Sequence, residues 1–249
     1  MGPARRGVGR ARELRDALLE LEIASWQYTK DKNAAATIPV IGDGDTGYGG
    51  LLNMRHTVRG YEAAGAVAIQ LEDQEFPKKC GHTPGRRVIP MEDMVRKIRV
   101  AVDSRSSPDF LIIARTDART TLGLDESLRR AEAYAKAGAD ILFVESPESE
   151  EEMRRIGQSF DVPLVANMVE KGRTPVLTRD ELASIGYKIA IFPVTALLAS
   201  VQAMTQVYQQ FKDTGSSANG KTALYDFGDL TQLMGFEDVW AFEKRYAED

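Results

Sequence analysis

Short apolar runs, many of them β-branched, alternate with longer amphipathic stretches along most of this 249-residue chain. The short runs predict buried strands and the longer stretches predict helices, as in repeated β–α units on a parallel sheet. The predicted strands are Ile38–Asp43, Ala66–Leu71, Phe110–Arg115, Asp140–Val144, Val162–Ala166 and Lys188–Phe192. The predicted helices cover residues 53–64, 91–104, 125–137, 148–158, 178–185, 195–212 and 229–246. An eight-stranded α/β barrel and an open doubly wound sheet both produce this alternation.

Polar side chains at the strand ends favour the barrel. Nearly every predicted strand is followed at once by a charged or amide residue. These are Asp43, Asp45, Glu72, Asp73, Arg115, Asp117, Glu145, Asn167 and Glu170. Closure of a barrel brings the carboxyl ends of all its strands around one centre, whereas an open sheet spreads them along a line. We therefore predict a (β/α)8 barrel of the triosephosphate isomerase type.

The strand count falls short of this barrel, because residues 1–37 contain no β-branched run. Residues 10–30 predict a single helix with a partial apolar face. The first two β–α units are therefore expected to be absent. The predicted domains are a basic N-terminal segment and helix in 1–37, a barrel catalytic domain in 38–213, and a linker with a C-terminal helical segment in 214–249.

Composition restricts the kinds of partner. The net charge is −5, and no basic stripe interleaved with aromatic residues is present, so neither nucleic acid nor a membrane is expected to bind. A small anionic substrate remains compatible with a locally positive site. The single cysteine fits a reducing compartment, and we predict a cytoplasmic protein. Four arginines within the first twelve residues leave organelle targeting as an alternative.

The segment Asp43-Gly44-Asp45-Thr46-Gly47-Tyr48-Gly49-Gly50 carries two acids in alternation at a strand end. Alternate residues of an extended chain point to the same side, and the glycines allow a sharp turn. Paired carboxylates suit a hard cation such as Mg²⁺, or Mn²⁺ in its place. A turn that merely closes the strand is the alternative, and Glu72 at the next strand end favours the metal site.

Cys80 lies in Lys78-Lys79-Cys80-Gly81-His82, close to the paired acids Glu72 and Asp73. Positive groups beside a thiol favour its thiolate form, so Cys80 is expected to exchange a proton near neutral pH. A solvated surface loop is the alternative interpretation. Residues 215–222 also match the phosphate-loop pattern GxxxxGK[ST], but no strand is predicted before them and no helix at the lysine, so we reject nucleotide binding there.

Seven segments together resemble, in order, the isocitrate lyase and phosphoenolpyruvate mutase superfamily. They are DGDTGYGG, QLEDQ, PKKCGH, IARTDA, FVES, ANMVEKGRTP and IFPVTAL. The KKCGH loop is similar to that of the lyase branch, which includes isocitrate, methylisocitrate and dimethylmalate lyases and plant proteins of the carboxyvinyl-carboxyphosphonate phosphorylmutase type. The resemblance implies an α/β barrel whose last helix is exchanged between subunits of a homo-dimer or homo-tetramer.

The resemblance also implies a set of site residues. Asp43 would contact Mg²⁺ directly, and Asp45 and Glu72 would hold it through waters. Cys80 would be the general acid, tuned by Lys79 and His82, and would act on a small anionic 2-hydroxy or 2-oxo acid. The remaining side chains would bind the substrate. They are Arg115, Glu145, Asn167, Gly172, Arg173 and Thr174.

The chain departs from the family pattern in places. Gln70 stands where several relatives have histidine, and Lys171 stands where glycine is usual. Two further activities remain open on the same site, namely oxaloacetate hydrolysis or decarboxylation and phosphonomutase-type chemistry. A catalytically impaired subunit that acts through oligomerisation is the hypothesis from a different class, and it rests on the missing pair of strands.

Overall fold

A computed structural model describes residues 39–81, 85–218 and 220–247 of the chain. The predicted helix within residues 10–30 and the candidate residue His82 lie outside these ranges. All six predicted strands are present, and most are shorter than predicted at their amino ends. They are β1 (Ile41–Asp43), β2 (Ala68–Glu72), β3 (Leu111–Thr116), β4 (Ile141–Val144), β5 (Val165–Asn167) and β6 (Ile189–Ile191).

The strands lie side by side in chain order and are all parallel. β1 to β4 form one ladder and β5 pairs with β6. A parallel bridge between Leu142 and Leu164 connects the two groups. A doubly wound sheet would reverse its strand order at a switch point, and no reversal occurs among the described strands. This order is the one that a barrel requires.

Alternation along each strand separates two apolar layers. Ile69, Leu71 and Leu142 face the helices and belong to the larger buried cluster. Ile113 and Phe143 face the opposite side and belong to a smaller cluster. Strands buried on both faces read as continuous apolar runs, which is why the sequence pattern located them. The side chains at the strand ends escape this packing and are available for chemistry.

Helices follow the strands in alternation. They are α1 (Leu51–Ala63), α2 (Met91–Ser104), α3 (Arg119–Leu122), α4 (Leu124–Lys136), α5 (Glu150–Ser159), α6 (Arg179–Ser184), α7 (Thr195–Thr214), α8 (Phe227–Leu233) and α9 (Phe236–Tyr246). The single helix predicted for residues 229–246 is wrong. Gly235 adopts a left-handed conformation with φ of 79° between α8 and α9, which interrupts the helical hydrogen bonds. Among the described helices, none has the length and apolar character needed to cross a membrane.

The chain divides into two compact units between Pro193 and Val194. The first contains the strands and α1 to α6, and the second contains α7 to α9. The sequence analysis assigned the helix now labelled α7 to the barrel domain. The predicted domain limits at 38–213 and 214–249 stay a prediction.

Glu62 near the end of α1 gives the first unit a predictable pH dependence. Its carboxylate accepts N–H hydrogen bonds from Ser106 and Ser107, at 2.8 to 3.0 Å. Burial raises the pKa of Glu62, but these donors and Arg105 outweigh burial and lower it. A lowered carboxyl pKa stabilises the fold at neutral pH, and this stability is lost as pH falls.

We therefore expect Glu62→Gln to flatten the decline in unfolding free energy between about pH 5 and pH 3. Urea unfolding at several pH values measures this decline. The control is Glu132→Gln, which alters an exposed pair with Lys136. An unchanged profile in Glu62→Gln would contradict the role assigned to these hydrogen bonds.

Candidate active site

The carboxyl ends of the strands bring most of the predicted site residues together. Asp43 ends β1, Glu72 ends β2, and Asn167 ends β5. In the β2–β3 ladder Glu72 is directly opposite Arg115, and Glu145 follows β4 by one residue. Parallel strands in register place such residues along one rim.

Three carboxylates at this rim surround one ammonium group. Lys78 Nζ lies 3.6 Å from Asp43 Oδ2 and 3.7 Å from Glu72 Oε2, and it forms a close ion pair with Asp45 Oδ1. The Asp43 carboxylate also accepts a hydrogen bond from the backbone N–H of Asp45 at 3.0 Å. Asp45 has φ of 48°, a turn that brings the second acid back beside the first.

Glu72 is the most deeply buried member of this cluster, with 1% of its surface exposed. Within the described residues, neither of its carboxylate oxygens has a hydrogen-bond partner. Burial raises the pKa of Glu72 to about 7, and the nearby Arg115 guanidinium limits that rise. Unsatisfied buried oxygens beside two further carboxylates are the donor set that a hard divalent cation prefers. The residues therefore fit Mg²⁺.

The cluster is not closed around a metal as it stands. Within the described ranges, no three His, Cys, Asp or Glu side chains are arranged to hold a metal ion. Instead, the carboxylates are directed at Lys78. Burial alone would lower the pKa of the Lys78 ammonium, but a hydrogen bond to Asp45 and the charges of Glu72 and Asp43 raise it.

Arg115 is held rigidly by Asp117. The guanidinium donates Nε and Nη2 hydrogen bonds to the two Asp117 oxygens, each 2.9 Å long. Arg86 Nη1 approaches the same carboxylate at 2.5 Å from the other side, and the Arg86 side chain is fully buried. Arg115 Nη1 and Nη2 lie 3.7 and 3.6 Å from Glu72 and Glu145. A guanidinium fixed in this way presents a constant geometry to a bound carboxylate.

The loop with the candidate acid closes on the same rim. The side chain of Gln74 makes two hydrogen bonds to the backbone of Lys79, at 2.9 and 3.0 Å. The Ser146 hydroxyl lies 2.9 Å from the carbonyl oxygen of Gly81. A Cβ on Gly81 would come within 2.6 Å of Arg115 Nη2, so only glycine allows this approach. The exposed Cys80 directly precedes this contact.

The far side of the rim contains the other predicted substrate residues. Asn167 Nδ2 lies 3.3 and 3.4 Å from the two oxygens of Glu145. In the loop after β5, Thr174 is buried, and its hydroxyl has no hydrogen-bond partner among the described residues. Lys171 has φ of 59°, which explains why a glycine suits that position.

Arg173 and Gly172 are less directly engaged. Arg173 Nη1 forms an ion pair with Glu148 at 3.1 Å, and Glu148 also pairs with Arg119. Gly172 donates its N–H to the carbonyl oxygen of Val169, which closes a turn. The contacts recorded for these two residues therefore lie within their own loop or toward α5, and the Asp43–Glu72 cluster is not among them.

Sequence reasoning gave no role to four residues of this site. Asp117, Arg86 and Ser146 are described above. Asp73 is fully buried and accepts hydrogen bonds from Thr116, the Asp117 N–H, Arg130 and Tyr134. One signal was available, because Arg115 and Asp117 are two apart at a strand end and so point to the same side.

Comparison with known proteins agrees with this arrangement. Residues 19–212 match the family described as phosphoenolpyruvate phosphomutase. The chain is 49% identical to the 2,3-dimethylmalate lyase of Eubacterium barkeri, over 86% of this chain and 74% of that protein. It is 46% identical to the 2-methylisocitrate lyase of Aeropyrum pernix, over 85% of this chain and 67% of that protein.

Solved structures give the same result. A crystal structure of 2,3-dimethylmalate lyase, a member of the PEP mutase and isocitrate lyase superfamily, covers 91% of this chain with 75% of its own length, at a TM-score of 0.79 and 33% identity. A phosphonopyruvate hydrolase complex with oxalate and Mg²⁺ covers 86% of this chain with 75% of its own length, at a TM-score of 0.73 and 33% identity.

The predicted family and the α/β barrel class are thereby confirmed. The two relatives named above are lyases that act on small organic acids. The strand-end carboxylates, the fixed arginine and the cysteine loop lie within the matched region. This chain belongs to the phosphoenolpyruvate phosphomutase family of enzymes, within the PEP mutase and isocitrate lyase superfamily.

Proposed function

We propose that this protein is a Mg²⁺-dependent carbon–carbon bond lyase. Its substrate is a 2-hydroxy di- or tricarboxylate of the isocitrate, methylisocitrate or dimethylmalate type. The observation that carries the proposal is the meeting of three carboxylates, a fixed arginine and the Cys80 loop at one rim. The 49% identity to a 2,3-dimethylmalate lyase supports the same reaction class.

The metal belongs to the carboxylate cluster. Asp43 would bind Mg²⁺ directly, and Asp45 and Glu72 would hold it through waters; Mn²⁺ would suit the same oxygens. When bound, the ion supplies a Lewis acid that stabilises negative charge on the substrate oxygens. The unpartnered oxygens of Glu72 support this assignment, as does the Mg²⁺ complex of a similar hydrolase.

The remaining residues bind and orient the substrate. Arg115 binds a carboxylate and the charge that develops on it, because Asp117 fixes the guanidinium in one orientation. Glu145, Asn167 and Thr174 complete the pocket, and the buried, unpartnered Thr174 hydroxyl is free to take up a substrate oxygen. Gly172 and Arg173 receive the distal carboxylate, for which Arg173 would leave Glu148.

Bond cleavage begins with loss of the proton from the substrate hydroxyl. The electrons of the bond between the second and third carbons then pass to the departing fragment as an enolate-like carboxylate. The Cys80 thiol donates its proton to that carbon, and the thiolate later recovers a proton from solvent. Lys79 and His82 favour this exchange by their positive charge. The substrate thus yields a 2-oxo acid and a carboxylic acid.

Product analysis on a panel of 2-hydroxy acids tests the proposal. We expect purified full-length chain with Mg²⁺ to release a 2-oxo acid, glyoxylate or pyruvate, from at least one of them. Addition of a chelator is expected to abolish release, and Mg²⁺ or Mn²⁺ to restore it. Coupled reduction of the 2-oxo acid by a dehydrogenase measures the rate continuously.

The other outcomes distinguish the remaining hypotheses. Oxalate and acetate formed from oxaloacetate would favour a hydrolase on the same site, and turnover of a phosphonate would favour mutase-type chemistry. No turnover with any substrate, together with poor Mg²⁺ binding, would favour a catalytically impaired subunit. The homo-dimer or homo-tetramer stays a prediction.

A further inference from the structure

Lys78 is the cation at the centre of the carboxylate cluster. Its ammonium lies within 3.7 Å of Asp43 and Glu72 and in closer contact with Asp45. About a third of the Lys78 side chain is exposed, whereas the Glu72 side chain is fully buried. The lysine therefore enters the cluster from the solvent side and ends at its deepest acid.

The cluster needs this cation when no metal is bound. A buried carboxylate without a hydrogen-bond partner is costly unless a positive charge is near. Arg115 also lies 3.7 Å from Glu72, but two of its nitrogens donate to Asp117. Three carboxylates are thus balanced mainly by a single flexible lysine.

We propose that Lys78 is a built-in counter-cation that occupies the metal position in the metal-free protein and withdraws when Mg²⁺ binds. This inference rests on the proposed metal site. The carboxylates that the ammonium contacts are those that would hold the ion directly or through its waters. Mg²⁺ requires a compact octahedral shell of oxygens, and an ammonium at the same position would clash with that shell and repel the ion.

Withdrawal of Lys78 would change the surroundings of the thiol. Cys80 is only two residues further along the chain, and Gln74 and Ser146 hold the backbone on either side of it. Removal of the ammonium from the cluster therefore releases one of three contacts that fix this short segment. Metal loading would thus be coupled to the position and reactivity of Cys80.

The coupling has a measurable cost in metal affinity. A site that is available only when an internal group has left binds its ligand more weakly, in proportion to the fraction of molecules in the open state. Lys78→Met keeps much of the side-chain length and removes the charge. We expect it to tighten Mg²⁺ binding to the substrate-free protein by about tenfold.

Isothermal titration of the full-length chain with Mg²⁺ alone measures this affinity. The matched control is Lys136→Met, which removes an ammonium from an exposed pair with Glu132, and its affinity is expected to equal the wild type. Lys78→Gln serves as a second variant, and circular dichroism melting confirms that each protein is folded. Unchanged or weaker binding in both Lys78 variants would overturn the inference while the proposed function stands.

The single cysteine provides a second readout that does not depend on turnover. In the wild type, Mg²⁺ is expected to raise the rate at which iodoacetamide alkylates Cys80. In Lys78→Met the rate is expected to be raised already and to ignore Mg²⁺. The same Mg²⁺ response in both proteins would contradict the coupling. If neither the wild type nor any variant bound Mg²⁺, the metal site of the proposed function would fail, and this inference with it.

Discussion

Replacement of Cys80 by serine is expected to lower kcat by about 10²- to 10⁴-fold, the usual contribution of a positioned general acid. A serine hydroxyl is a far weaker acid than a thiol and gives up its proton much less readily near neutral pH. Because Cys80 is exposed, the exchange is expected to leave the unfolding free energy and the Mg²⁺ affinity close to those of the wild type. Steady-state rates of 2-oxo acid release, with urea unfolding alongside, measure the effect.

A matched control exists on the same loop. Glu75→Gln removes an exposed charge that pairs with Arg87, and it is expected to retain kcat. Robust turnover in Cys80→Ser would contradict the acid assignment, whatever the substrate. A comparable loss in both variants would mean that the loop tolerates no change, and that Cys80 has no special role.

The strand-end residues could be predicted because two simple regularities define them. Each buried parallel strand reads as a continuous apolar run, and the first polar residue after that run lies on the catalytic rim. Glu72 and Arg115 are 43 residues apart in the chain, as their numbers give, yet they lie side by side in the ladder. A correct strand list was therefore sufficient to bring them together.

The support beneath the rim could not be predicted in the same way. Arg86 reaches Asp117 from a loop, and Tyr134 reaches Asp73 from α4. Neither contact follows from a strand register, since each depends on how a loop or helix packs against the sheet. Ser146 adopts φ of 60°, a conformation that no spacing rule indicates for serine.

The break between α8 and α9 shows a different limit. The apolar and aromatic positions from 229 to 246 are compatible with one continuous helix, and helical spacing alone gives no reason to interrupt it. Gly235 decides the outcome, because a glycine adopts the left-handed conformation with little cost. A glycine within a periodic stretch is thus a reason to consider two helices, as observed here.

The support beneath the rim leads to the largest expected loss of stability. Asp117 is fully buried and receives Arg115 from one side and the fully buried Arg86 from the other. Asp117→Asn is expected to lower the unfolding free energy by about 3 to 5 kcal/mol, the typical cost of leaving buried charges without their partner. Arg115 retains Glu72 and Glu145 nearby, so most of the loss is expected to arise at Arg86.

A double variant separates this cause from a general disturbance of the core. If the uncompensated Arg86 guanidinium is responsible, Arg86→Met combined with Asp117→Asn should be more stable than Asp117→Asn alone, since the unpaired charge is then gone. The surface control is Asp125→Asn, whose partner is Arg155 and whose side chain is 85% exposed; it is expected to cost less than about 1 kcal/mol. Urea unfolding of all four proteins measures the differences. A loss in Asp117→Asn no larger than that of the control would mean that Arg86 finds another partner, and that Asp117 fixes Arg115 without supporting the fold.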